Sequence, residues 1–327
     1  MAHNIDMTND RANIAFLGSR NDVWHRLGQE MKPGQSIKVW AKEAGLEWQA
    51  IKVPAPYEFN GERMVVEGMN HIIRSDNGHA LGYVSDRYQP VQPAQILAWF
   101  NDYISVDDRF QLDVAGSLKQ GEIIWATATF NGVMKVGGDD HVMRMLMTTT
   151  FDGTGSTINK GCATRVVCNN TLDAGLAERN APVIKTRHNT KFNSERVSND
   201  LGNVAKSFGA YKEMGDAMAQ VRVSKSQVET LFKAILGIDK MTADDISTNK
   251  LNQLQGLDNA YRATVAEGTE VDTVWCALNA VTRYVDHDRS TRGGASIDEA
   301  KFLSAQFGSG AGLKSKAVEL LKELCGC

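Results

Sequence analysis

Residues 121–172 decide the fold, and they read GEIIWATATFNGVMKVGGDDHVMRMLMTTTFDGTGSTINKGCATRVVCNNTL. Residues 123–130 are apolar or β-branched on both alternating faces, which predicts a strand inside a sheet. A Gly-Gly-Asp-Asp turn then leads into a second strand at residues 141–150. After a polar loop at residues 152–161, a third strand is expected around Ala163–Cys168. The stretch therefore predicts three consecutive strands of an antiparallel sheet.

A long helix should follow these strands, beginning at Ser194. Its apolar residues recur at spacings of four and three, which is typical of a narrow seam against another helix or a neighbouring subunit. Gly215 interrupts a seam that consists of Val197, Leu201, Val204, Phe208, Tyr211 and Met218. From Val221 onward the chain has helical patterns, and Ser224 with Gln227 matches a capping box.

These patterns predict an α+β fold: an antiparallel sheet built on a β-β-β-α core, followed by a helical C-terminal region. Residues 1–20 are polar and are expected to be mobile or loosely packed. Residues 21–220 should form the α+β core domain, and residues 221–327 the helical region. Within the core, Asn60-Gly61 marks a turn, and residues 75–78 predict a hairpin.

The totals limit which partners this chain can bind. Its 327 residues carry a net charge of −3, so attraction to a polyanion would require a local basic patch. No apolar run approaches the roughly 20 residues that span a bilayer, and residues 1–6 do not resemble a signal sequence. Five scattered cysteines fit reduced thiols better than a disulfide framework. We therefore expect a cytoplasmic protein that does not enter the membrane.

A basic stretch joins the third strand to the long helix. Residues 160–206 contain eight Lys or Arg residues against four Asp or Glu residues. Such a density of cations suits a phosphate backbone, because each phosphate contact releases counterions. The alternative is an ordinary solvated loop. The candidate nucleic-acid-binding residues are Lys160, Arg165, Lys185, Arg187, His188 and Lys191.

Three other motifs each have a functional and a simpler interpretation. Residues 152–156, DGTGS, match a backbone nest for an anion or a flexible strand connection. Residues 308–315 approach the phosphate-binding P-loop pattern, but Leu313 stands where that pattern requires glycine. Asp286-His287-Asp288 suits a divalent ion or a solvated loop. None of these motifs predicts a reaction, and no cofactor or metal is expected.

Several ordered motifs nevertheless carry a family resemblance. They include WHRLG at 24–28, YQPVQ at 88–92, SLKQG at 117–121, TRVVCNNTL at 164–172 and AVTRYVDH at 280–287. Together they resemble the phage/plasmid-like family of uncharacterised proteins that bacteriophages and conjugative plasmids carry. The strand-strand-strand-helix order is also similar to the core of Rad52-like single-strand annealing proteins. That similarity implies rings or filaments that hold single-stranded DNA in a basic groove.

The expected function is single-stranded DNA binding and annealing by a homo-oligomer, in recombination or replication, with no bond made or broken. Lys160 would stand at the entrance of the groove, and Trp125 or Tyr211 would stack on a base if exposed. One alternative is a metal-dependent nuclease or phosphoryl-transfer enzyme that uses Asp and His side chains from loops. Another is an inhibitor of a host defence factor.

Overall fold

The computed structural model describes residues 6–8, 11–18, 27–106, 109–151, 157–165, 171–173, 184–186, 194–290, 301, 304–305 and 308–326. The strands are β1 (Met7–Thr8), β2 (Arg11–Ala12), β3 (Ile14–Leu17), β4 (Gln29–Met31), β5 (Ala50–Phe59), β6 (Glu62–Arg74), β7 (Ala80–Ser85), β8 (Phe110–Leu118), β9 (Ile123–Val136), β10 (Asp139–Thr150), β11 (Thr157–Arg165), β12 (Thr171–Asp173) and β13 (Ile184–Thr186). The α-helices are α1 (Ile37–Glu43), α2 (Pro93–Val106), α3 (Ser194–Gln220), α4 (Lys225–Leu236), α5 (Thr248–Ala266), α6 (Val274–Arg283) and α7 (Ser309–Cys325).

The main sheet is open and mostly antiparallel. Its strand order is β12-β11-β10-β9-β8-β3-β4, and β13 also pairs with β11. The pairing of β3 with β4 is parallel, whereas the other pairings in this sheet are antiparallel. The three central strands and α3 follow one another in the predicted order. The predicted α+β class, with an antiparallel sheet and C-terminal helices, is confirmed.

The third strand of this core starts earlier than predicted, at Thr157 rather than near Ala163. Two polar residues at its start, Thr157 and Asn159, are buried, and each donates a side-chain hydrogen bond. The Thr157 hydroxyl donates to Thr149 Oγ1 at 3.2 Å, and the Asn159 amide donates to the Tyr103 hydroxyl at 3.2 Å. Polar residues therefore belong to this strand, and the loop predicted at residues 152–161 was too long.

The N-terminal segment differs from the expectation that residues 1–20 are mobile or loosely packed. Strand β3 pairs with β8, and its residues Ile14, Ala15 and Phe16 are fully buried. The backbones approach so closely that a Cβ on Gly116, which lies opposite Ile14, would stand 2.8 Å from the Asn13 carbonyl oxygen. A short apolar run in a polar context thus contributes a strand to the main sheet.

A smaller antiparallel sheet is formed by β5, β6 and β7. Asn60 and Gly61 connect β5 to β6 with φ angles of 52° and 83°. Two consecutive positive φ angles are the requirement of a type I′ hairpin turn, so this predicted turn is confirmed. The second predicted turn, at residues 75–78, connects β6 to β7, and the Gly78 N–H donates to the Arg74 carbonyl at 3.0 Å.

Arg74 joins the two sheets through a buried polar network. Its guanidinium forms an ion pair with Asp6, donates to the Gln120 carbonyl oxygen at 2.8 Å, and contacts both carboxylate oxygens of Asp76. These hydrogen bonds hold the pKa of Asp76 below its usual value. The Arg74 guanidinium also lies 4.6 Å from the centre of the Trp48 ring. One side chain thus ties together the N-terminal segment, β6 and the turn before β9.

The C-terminal helices share one buried core with the sheet. This core contains side chains of β8 to β11 together with side chains of α3 to α7. Helix α4 begins with the predicted capping box of Ser224 and Gln227 and ends at Gly237, which has a φ of 69°. Helix α3 ends at Gln220. After α6, residues Tyr284–Asp288 form one π-helical turn.

Candidate nucleic-acid interface

The outer side of β11 is where the structure places the predicted cations. On one side β11 pairs with β10, and on the other it pairs with two short strands. Strand β13 pairs with Thr157–Asn159, and β12 pairs with Cys162–Thr164. Strand β11 itself carries Lys160 and Arg165, and β13 carries Lys185. The other three candidates, Arg187, His188 and Lys191, lie outside the described residues.

The register fixes the spacing of these three positions. Lys185 lies opposite Ile158, Lys160 lies opposite Leu146, and Arg165 lies opposite His141. The partners of Lys185 and Arg165 are therefore separated by seven residues along β11, which is about 23 Å at ~3.3 Å per residue. The structure brings Lys160 near Lys185, while Arg165 lies at the far end of the strand.

Lys160 is half-buried on the face of the sheet that points away from α3. Its opposite residue Leu146 and its same-face neighbour Cys162 both belong to a small buried cluster. The apolar stem of a lysine can cover such a surface while the ammonium reaches toward water. Lys160 therefore lies beside an apolar part of this face of the sheet.

Arg144 is a further cation on this face that sequence reasoning did not select. It lies opposite Cys162, one diagonal step from Lys160, and its Nε donates to Asp113 Oδ2 at 2.8 Å. Both side chains are less than one-third exposed, at 28% and 16%. The alternation of β10 predicts that Arg144 and Leu146 share a face of the sheet. The sequence alone does not show that Lys160 lies opposite Leu146 on that same face. Because Asp113 engages it, Arg144 supports the local charge less than an unengaged arginine would.

The two aromatic residues expected to stack on bases are not accessible. Trp125 is buried in the same small cluster as Ile14 and Phe16, and Tyr211 is buried on the inner face of α3. The Tyr211 ring meets the rings of His141 and Trp275 edge-on, at centroid distances of 5.8 and 6.1 Å. Stacking was expected only if one of the two were exposed, and that condition is not met because both pack in the core.

The glycine-rich stretch at residues 308–315 is not a phosphate loop. Helix α7 starts at Ser309, and the Lys314 side chain is only 3% exposed. Lys314 forms an ion pair with Asp286 in the π-helical turn. A P-loop lysine must reach a nucleotide phosphate, whereas Lys314 joins α7 to the end of α6. Its role is structural.

The acidic and histidine residues form no metal site in the part of the chain that the structure describes. Asp286 is held by Lys314, and Asp288 lies 4.0 Å from Arg283 Nε. The other motif weighed as an anion site, residues 152–156, lies outside the described residues.

Cations of the C-terminal helices are largely engaged within the chain. Lys316 donates to the carbonyl oxygens of Ala234 and Ile235, and Lys250 donates to that of Leu236 at 2.7 Å. These bonds satisfy the exposed carbonyls at the end of α4. Arg222 and Arg283 form ion pairs with Glu270 and Glu267. These four side chains therefore serve contacts within the helical region.

An open groove between α4 and α5 is a second feature that sequence reasoning missed. It encloses about 730 Å³. At its wall the Tyr261 hydroxyl accepts a hydrogen bond from the Asp272 N–H at 3.1 Å. Burial raises the pKa of Tyr261 to about 12. Only packing of separate helices creates this groove, so no local motif could have predicted it. The walls consist of Val228, Phe232, Leu251, Leu254, Tyr261 and Val271, among others.

No helix in the described ranges is long and apolar enough to cross a bilayer. Residues 80–305 match a protein-family model described as Domain of unknown function (DUF932). This match spans more than half of the chain, so the chain belongs to the DUF932 family. No curated protein and no solved structure matches it. The match begins at Ala80, so the hairpin of β5 and β6 lies outside the matched residues.

Proposed function

We propose that this DUF932 protein binds single-stranded DNA beside β11 and β13 and promotes annealing without making or breaking a bond. The observation that carries the proposal is the register of β11 with β13, which places Lys185 opposite Ile158, two residues along β11 from Lys160. Two such neighbouring cations on adjacent strands can contact successive phosphates of one backbone. The position of Arg165, five residues beyond Lys160, lies on the other face of the sheet, because successive residues of a strand alternate between faces.

The order of elements supports the same proposal. Strands β9, β10 and β11 precede α3, with the short strands β12 and β13 between β11 and the helix. The order of three strands and then a helix is the feature in which the sequence is similar to Rad52-like annealing proteins. The resemblance to the phage/plasmid-like family adds a context in which single strands are handled during recombination or replication. A fold alone does not establish a function, so the cations of β11 and β13 must be tested directly.

The acidic net charge of the chain leads to a numerical expectation for how DNA affinity depends on salt. With a net charge of −3, distant charges repel DNA, and affinity must come from a few local contacts. Three to six phosphate contacts give a log–log salt slope of about −2 to −4 for a single strand. Binding should therefore weaken roughly 20- to 300-fold between about 50 and 200 mM salt.

Fluorescence anisotropy with a labelled oligothymidine tests this proposal. The triple variant Lys160→Ala, Arg165→Ala, Lys185→Ala should lose most of its affinity. The matched control, Lys135→Ala, Arg222→Ala, Lys240→Ala, removes the same charge from other exposed positions and should bind nearly as wild type does. Equal losses in both variants, or no binding by the wild type at low salt, contradict the proposal.

The same samples distinguish binding from the nuclease alternative. Bound oligonucleotide incubated with Mg²⁺ and separated on a denaturing gel should remain intact. Two complementary strands should pair faster when the protein is present than without it. Shortened DNA would instead identify a phosphodiester-cleaving enzyme.

A further inference from the structure

The hairpin of β5 and β6 exposes large apolar side chains near its turn. Tyr57, Phe59, Met64 and Val65 are 44%, 62%, 42% and 55% exposed. Tyr57 lies directly opposite Met64, and Phe59 lies opposite Glu62, so Tyr57, Phe59 and Met64 share one face. We refer to residues 56–65 as the hairpin tip.

This exposure is larger than scattered surface residues explain. With about 200 Å² of surface on a large side chain, the three residues that share a face expose about 300 Å². Contiguous apolar surfaces of this size on a monomer are often interaction sites. The tip therefore has the character of a contact surface.

The outer edge of β5 restricts how a partner can approach. Pro54 and Pro56 lie on this edge strand, and neither offers an N–H to an added strand. Proline on an edge strand is a common means of preventing strand addition. A partner on this side must consequently recognise the tip through its side chains, which favours insertion into a groove.

The groove between α4 and α5 has the complementary shape. Its volume of about 730 Å³ is within the range of sites that enclose several large apolar groups. Its wall residues Leu251 and Val271 are 46% and 44% exposed. The same chain thus carries a projecting apolar tip and a concave apolar groove, and both are exposed.

The charges of the groove are compatible with those of the tip. Within the groove, Glu229 forms an ion pair with Lys233, and Asp258 forms one with Arg262, each within its own helix. Among the described residues no ion pair engages Lys225 or Asp272, which also line the groove. The tip offers the adjacent exposed pair Glu62 and Arg63. Each sign of charge on the tip therefore has an opposite in the groove.

We propose that the hairpin tip of one protomer inserts into the α4–α5 groove of a second copy of this chain. The contact joins two different surfaces, so each protomer keeps one tip and one groove available for further copies. Such head-to-tail contacts generate closed rings or open filaments. This inference concerns assembly without DNA, so it does not rest on the proposed DNA binding.

Mass photometry and light scattering after size exclusion test the contact without DNA. At about 50 µM the wild type should form species larger than a dimer. The tip variant Phe59→Asp and the groove variant Leu251→Asp should each be monomeric, because a buried unpaired carboxylate opposes the contact. Both positions are exposed, so circular dichroism should show each variant folded.

Mixing the two variants gives the sharpest result. The tip variant keeps an intact groove and the groove variant keeps an intact tip, so an equimolar mixture should form a one-to-one dimer and nothing larger. Val133→Asp, at a 58% exposed position on β9, is the matched control and should assemble as the wild type does.

Three outcomes overturn the proposal. A wild type that stays monomeric shows that copies do not dock in this way. A groove variant that still assembles while the tip variant does not shows that the tip meets another surface, such as a second tip. A mixture that contains only monomers excludes complementarity between the two surfaces.

Discussion

Gly215 in α3 gives the most exact test of the packing between the sheet and the C-terminal helices. A Cβ at this position would lie under 3.0 Å from Val136 Cγ1 and 3.1 Å from the nearest atom of the Trp275 ring. Neither neighbour can shift without a cost in free energy. Val136 is fully buried, and the Trp275 indole N–H donates to Asp139 Oδ2 at 3.0 Å. Gly215→Ala should therefore strain the site where α3 crosses the end of β9.

The expected magnitude follows from two opposing effects. Alanine in place of glycine in a helix interior stabilises by about 1 kcal/mol. Overpacking a well-filled core costs about 1–3 kcal/mol, and the two fixed neighbours favour the upper end. Gly215→Ala should therefore lower the free energy of unfolding by about 1–2 kcal/mol, as the difference between these terms.

Gly209 in the same helix supplies the matched control. An added Cβ there meets no atom within 4 Å. Gly209→Ala should accordingly raise the free energy of unfolding by up to about 1 kcal/mol. Urea denaturation followed by circular dichroism measures both variants. If Gly215→Ala stabilises the protein as much as Gly209→Ala does, the close packing against Val136 and Trp275 is refuted.

Two further predictions concern stability. Lys314→Met removes the buried partner of Asp286 and should lower the free energy of unfolding by about 2–4 kcal/mol. Adding Asp286→Asn should recover part of that loss. A double-mutant cycle measured in urea that shows no coupling between the two sites would contradict this. Burial raises the pKa of Tyr261 to about 12 in the folded protein. The protonated Tyr261 hydroxyl therefore contributes its full stabilisation below pH 10, the usual tyrosine pKa in the unfolded chain, and this stabilisation is lost as the pH rises through 12. After discounting for partial exposure the loss is about 1 kcal/mol, and Tyr261→Phe should show a correspondingly shallower decline between pH 10 and 12 in alkaline denaturation.

The parts of the fold that the sequence predicted correctly are those with a strong local signal. Alternation over residues 123–130 predicted β9, and Asn60-Gly61 predicted a turn that needs two positive φ angles. The Ser224 and Gln227 side chains lie three residues apart and cap α4 by themselves. In each case the physical cause lies within a few residues of the signal.

The errors arose where distant residues decide the outcome. Strand β3 is a four-residue apolar run, and only its pairing with β8 buries it. The start of β11 is polar, and it is buried because Tyr103 and Thr149 supply hydrogen bonds from elsewhere in the chain. Gly215 interrupted a predicted apolar seam for a reason that becomes visible only when Trp275 is packed against it.

The same reasoning applies to the candidate sites. Charge density along the sequence selected the cations near β11, but their spacing on that strand depends on the register with β10 and β13. Trp125 was considered for stacking because aromatic residues often are, yet its position on an interior strand buries it. The groove between α4 and α5 requires helices to meet, so it has no linear signature.

Ultraviolet cross-linking of a bound oligothymidine, followed by mass-spectrometric identification of the attached peptides, tests the proposed DNA binding most directly. The account predicts cross-links in peptides that contain β11 and β13, between residues 157 and 193, and their loss in the Lys160, Arg165 and Lys185 triple variant. Cross-links confined to the C-terminal helices, or none in a sample that binds the oligonucleotide, would contradict a DNA path beside β11 and β13.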